Sequence, residues 1–158
     1  MTTSLVIPDP SSTAIPALIS VCEQVYARRA QILRAPKLEV SYEYQRRALA
    51  IEKYLSGKAG AKEARRAARV LEVAVGIALG PAQQGRPTET SLASEVSIVP
   101  REDRHRFRLM AQYWPRWEGR LEKEGLSRAD VLRLIKRWMT QENSPAVPEW
   151  AGEWDLPG

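Results

Sequence analysis

Residues 61–79, AKEARRAARVLEVAVGIAL, decide the fold. Ala64, Ala67, Leu71, Val75 and Ala78 fall on one side of a 3.6-residue helix, and Lys62, Arg65, Arg66 and Arg69 recur at i, i+3, i+4 and i+7 on the opposite side. In the second half Val70, Val73 and Ile77 add apolar groups to the far side, so that half needs a neighbour on both sides. Helices from the preceding sequence can cover one side. The other is expected to meet a second copy of the chain, making Val70, Val73 and Ile77 the interface of a homodimer, unless the C-terminal segment folds back over it. Gly80-Pro81 ends the helix.

Two helices are read upstream. The first opens near Ser12 or Thr13 and ends before Pro36, with Ile15, Leu18, Ile19, Cys22, Val25, Tyr26, Ile32 and Leu33 on one side. The second begins after Ser41, aligns Tyr44, Ala48, Ile51 and Leu55, and stops at Gly57. Downstream, PAQQGRPTET at 81–90 is a linker, and aromatic usage changes across it: four of the five tyrosines precede residue 55, and all five tryptophans follow residue 106. Ser91 to Val96 fits a short helix, and Pro100 is well placed to open the next. Pro115 must end or kink that helix near Tyr113 or Trp114. Gly125 breaks the pattern again, after which Ser127 and Asp130 resemble a capping box for a helix carrying Val131, Ile135, Trp138 and Met139.

These periods, with few β-branched stretches, define an all-α chain. Its expected organisation is a helical scaffold at 1–80, a linker at 81–90, a helix-turn-helix-like module at 91–140 and an acidic tail at 141–158. Apolar residues at 44% and charged residues at 27% are ordinary globular proportions and argue against wholesale disorder. A single cysteine, Cys22, forms no internal disulfide, and with a single histidine, His105, it supplies too few ligands for a Cys/His zinc site. No metal or other cofactor is therefore expected. The opening residues lack a basic stretch followed by an apolar one, and no run approaches the length of a membrane span, so a cytoplasmic protein is expected.

Charge is unevenly distributed. Residues 37–80 carry +4 and 101–140 carry +5, whereas 141–158 carry −4. Basic helical blocks favour a polyanionic partner. The most informative segment is SLASEVSIVPREDRHRFRLMA, residues 91–111, where a short helix, a turn at Ser97–Val99 and a second helix would form a helix-turn-helix. Arg101, Arg104, His105 and Arg108 fall at i, i+3, i+4 and i+7, while Phe107, Met110, Ala111 and Trp114 occupy a face about 130° away at 100° per residue. One face docks and the other is free to take guanine edges or phosphates. The alternative is a solvated arginine-rich face of an ordinary bundle helix.

The region from about Tyr44 to Ala111 resembles a loosely characterised group of bacterial and phage-borne helical proteins. The matching pieces are ARRAARVLEVAVGIALG, then Gly85-Arg86-Pro87, then Ser91-Leu92-Ala93 and the helix ending Arg106-Phe107-Arg108-Leu109-Met110-Ala111. In that group an Ala/Arg-rich helix leads through a Gly-Arg-Pro linker into a helix-turn-helix-like segment, and the resemblance implies DNA binding without a reaction. The turn normally carries serine where this chain has Pro100.

Other constellations say less. Lys62, Arg65, Arg66 and Arg69 form either a phosphate-contacting face or the exposed side of an amphipathic helix. Arg86 suits a minor-groove arm, since narrow grooves concentrate negative potential, or sits in a plain linker. A second helix-turn-helix candidate, LEKEGLSRADVLRLI at 121–135, places Arg120 and Glu124 where apolar groups usually lie and reads as a supporting helix. Gly57-Lys58-Ala59-Gly60-Ala61-Lys62 lacks the Gly-Lys-Ser/Thr end of a phosphate-binding loop. The sequence therefore predicts a non-enzymatic binder of double-stranded DNA that regulates transcription or mobile-element DNA. The rival reading is a protein-protein adaptor or inhibitor using arginine faces together with Trp150 and Trp154.

Overall fold

The computed structural model describes residues 6–80 and 98–143. Seven α-helices appear among them: α1 (Ile15–Ala27), α2 (Arg29–Ile32), α3 (Leu38–Leu55), α4 (Ala61–Leu79), α5 (Arg101–Gln112), α6 (Trp114–Glu124) and α7 (Arg128–Asn143). The chain is all-α, as the periodicity predicts. Among the described residues, no helix is long and apolar enough to cross a membrane. The linker at 81–90, Arg86, the short helix expected at 91–96, and Trp150 and Trp154 lie outside the described residues.

The hub is α4, twelve of whose nineteen residues are buried. Helices α3 and α1 pack along it from the N-terminal half of the chain, and α5 packs against it from the C-terminal half, with α2 and α6 in lesser contact. Val70, Leu71, Val73 and Val75 have essentially no exposure. Each such side chain contributes about 1.5–3 kcal/mol relative to the exposed state. The homodimer interface expected at Val70, Val73 and Ile77 is corrected by this arrangement. Val70 and Val73 are fully covered within one chain, and Ile77 alone stays exposed, at 38%. The C-terminal helices fold back and take the place a second copy would have filled.

Gly76 makes that return possible. A methyl group on its α-carbon would overlap the Phe107 carbonyl of α5 and crowd Ala111. The two helices thus cross in near backbone contact, which seats Phe107 and Met110 in the core. Trp117 of α6 is also fully buried, and its indole N–H donates to the Met110 carbonyl at 3.0 Å, tying α6 to α5. Pro115 acts where the sequence places it: α5 closes at Gln112, and the proline occupies the first turn of α6, where a missing N–H costs nothing. Ser127 and Asp130 cap the start of α7 reciprocally, with Asp130 N donating to Ser127 Oγ at 3.2 Å and Ser127 N to Asp130 Oδ2 at 3.4 Å.

Two boundaries differ from the sequence reading. The first helix breaks at Arg28 (φ −95°, ψ 13°) into α1 and α2, and its start at Ile15 follows a short 3-10 turn, Pro10–Ser12, capped by Asp9. The next helix begins at Leu38, so Ser41 is a buried residue of its first turns. Its apolar face continues upstream through Leu38, which packs against the core.

Substituting Gly76→Ala should destabilise the chain by about 1–3 kcal/mol, because the added methyl has no room without moving α5. Urea unfolding monitored by tryptophan fluorescence reads this as a lower midpoint; an unchanged midpoint would mean that α5 does not cross α4 at this glycine.

Candidate nucleic-acid interface

Docking of α5 through Phe107 and Met110 fixes where its arginines go. Arg101, Arg104, His105 and Arg108 line one open groove of about 890 Å³, whose other wall is the end of α4 at Gly76, Ile77 and Gly80. The sequence reading of these four as one face holds as geometry. Arg101 and His105 are exposed, and Arg104 and Arg108 are half-buried. Among the described residues no carboxylate lines the groove. Asp103, in the first turn of the same helix, pairs at 3.5 Å with Arg106 on another face.

Arg108 has a structural duty as well. Its Nε donates to the Gly80 carbonyl at 2.9 Å, supplying a donor and a positive charge at the C-terminal end of α4, where helix carbonyls lack partners. Burial pulls its pKa down from the usual arginine value, and the neighbouring positive charge of Arg104 adds to the shift. Neighbouring guanidiniums in a groove with no carboxylate among its described lining residues create a local positive potential that a bound anion would relieve.

The second basic stripe has a different fate. Arg65 Nε donates to the Gly125 carbonyl at 2.5 Å, and Arg66 donates to the carbonyls of Leu121, at 3.3 Å, and Glu122. These are the last carbonyls of α6 and its left-handed cap at Gly125 (φ 62°), groups that need donors wherever a helix ends. Lys62 is exposed at its tip, but its stem lies against Gly125. Arg69 is only 1% exposed. It forms a two-pronged pair with Glu52 of α3, at 2.6 and 3.1 Å, and an ion pair with Glu72 one turn along α4. The expectation of a phosphate-contacting face at Lys62, Arg65, Arg66 and Arg69 is corrected accordingly: Arg65 and Arg66 hold the end of α6 onto α4, and Arg69 ties α4 to α3.

Sequence reasoning passed over the acids that complete this arrangement. Glu72 has no exposure and also receives Arg128 Nε of α7 at 2.5 Å. Burial pushes its carboxyl pKa up, with Arg69 and Arg128 opposing the shift. A signal was available: an acid among alanines and valines on a helix expected to be covered on both sides must find a partner. Among the described residues no three His, Cys, Asp or Glu side chains gather as metal ligands would. Cys22 is buried, and desolvation first, with Glu63 and Glu23 nearby, raises its thiol pKa to about 12.

Comparison with protein family models, curated proteins and solved structures gives no match for this chain.

Arg69→Met should cost about 3–5 kcal/mol of stability, since it removes one of the two cations that meet a buried carboxylate, whereas Arg104→Ala should stay within about 0.5 kcal/mol of the parent. Urea titration of both variants separates the structural arginines from the groove arginines. Similar small losses at both positions would contradict the division.

Proposed function

We propose that the chain binds double-stranded DNA through the α5 groove and acts on transcription or on the DNA of a mobile element. The observation that carries this reading is the convergence of Arg101, Arg104, His105 and Arg108 on one open groove with no carboxylate among its described lining residues. Arginine contacts phosphate at any sequence and takes guanine edges bidentately, so one face serves both positioning and readout. The resemblance of residues 44–111 to helix-turn-helix-like phage and bacterial proteins supports the same direction. A protein-protein adaptor is the second reading. It is favoured by a separate groove of about 850 Å³ between Val6–Pro10 and α3, where exposed Val6 and Ile98 stand among Glu39, Glu43, Arg46 and Arg47. Mixed charge around apolar contacts suits a polypeptide better than a nucleic acid.

With Arg65, Arg66 and Arg69 occupied inside the fold, the α5 face supplies the main phosphate contacts among the described residues. Log affinity for a generic duplex should therefore fall against log salt with a slope of about −2 to −3, at roughly 0.9 per phosphate neutralised. Arg101→Ala and Arg104→Ala should each flatten that slope by about 1. Absence of any duplex complex at low salt, by sizing with absorbance at 260 nm, would overturn the DNA reading in favour of the adaptor.

A further inference from the structure

Residues 144–158, SPAVPEWAGEWDLPG, carry Glu149, Glu153 and Asp155 with no basic residue, together with Trp150 and Trp154. Their point of departure is fixed by α7. Glu142, in its last turn, accepts the Tyr113 hydroxyl at 2.7 Å and Arg116 Nη1 at 2.8 Å. That hydrogen bond is the leading cause of the raised Tyr113 pKa. Tyr113 directly follows Gln112, the last groove residue of α5. The described end of α7 therefore stands beside Tyr113, next to one end of the basic groove.

We propose that this acidic segment is the groove's own ligand, lying along α5 with its carboxylates on Arg101, Arg104 and Arg108 and a tryptophan against Ile77. The reach is ample. Twelve residues of α5 span about 18 Å at 1.5 Å per residue, and the six residues from the end of α7 at Asn143 to Glu149 can extend to about 20 Å. Charge is complementary, since the groove holds three guanidiniums and no carboxylate among its described lining residues, whereas the segment carries three acids and no base. Ile77, 38% exposed, and Leu109 give the groove an apolar floor that phosphate would leave unused. The occupancy makes no use of DNA. Its consequence, that the segment competes with duplex for the same arginines, rests on the proposed DNA reading.

The experiment keeps the full chain. Cysteines are placed in Ile77→Cys/Ala151→Cys, and for comparison in Ala59→Cys/Ala151→Cys, where Ala59 is exposed in the turn before α4, at the end remote from Ile77. Cys22 stays out of the exchange because it is buried, and burial raises its thiol pKa to about 12. In a glutathione redox buffer, intrachain disulfide formation read by mass should show an effective concentration at least about tenfold higher at Ile77 than at Ala59. Adding Glu149→Gln, Glu153→Gln and Asp155→Asn should remove that preference. Equal values at the two positions, or a preference that survives neutralisation, would overturn the docking. On single-cysteine chains, the same three substitutions should tighten generic duplex binding about five- to tenfold at low salt. Unchanged duplex affinity beside an intact cysteine preference would overturn the competition. No duplex complex with either protein, beside that preference, would remove the DNA reading and leave the docking standing.

Discussion

The carboxylate of Glu72 sits in the middle of α4 with no access to water, and the fold depends on how its charge is met. Arg69 lies one turn before it on the same helix, and Arg128 reaches it from the start of α7. Arg69 in turn is gripped by Glu52 of α3. The cluster contains two cations and two anions, so it joins α3, α4 and α7 without leaving net charge inside. Such a group gains little stability over an apolar core of the same volume, because desolvation offsets most of the attraction. Its contribution lies in the penalty on alternatives: any arrangement that leaves α7 elsewhere strands part of a buried carboxylate.

The position of the groove follows from that constraint. Once α7 is fixed at Arg128, the left-handed turn at Gly125 returns the chain to α6, whose terminal carbonyls are met by Arg65 and Arg66. Trp117 then links α6 to α5, and Gly76 lets α5 lie directly on α4. The arginines of α5 are left on the flank toward the end of α4, where Arg108 closes the helix and Arg101, Arg104 and His105 remain around open space. Scaffold and groove are therefore parts of one packed unit built around a single helix.

Much of this was legible in the sequence wherever the signal is local. The boundaries of α4, the proline-directed break between α5 and α6, and the Ser127–Asp130 cap each depend on residues within a few positions of one another. The all-round apolar second half of α4 likewise announced two neighbours, but whether the second was another copy or the chain's own C-terminus depended on contacts across more than thirty residues. The stripe at 62–69 misled for a related reason. Its spacing is that of a solvated or phosphate-binding face, yet its partners are backbone carbonyls at Leu121, Glu122 and Gly125, which leave no mark on composition. The break at Arg28 has no proline or glycine to signal it. Glu72, the one charged residue in the second half of α4, was the residue-level clue with the widest consequences, since an acid there demanded cations.

The central claim is that α5 to α7 and α4 form one cooperative structure. Native-state amide hydrogen exchange, followed residue by residue at low denaturant, tests it most directly. The account predicts that amides around Val73 to Val75 in α4 and around Phe107 to Met110 in α5 open with the same, highest free energy, equal to that of global unfolding. If α5 to α7 opened together at clearly lower free energy while α4 stayed protected by α1 and α3, the C-terminal helices would be a separate unit, and the account would be contradicted.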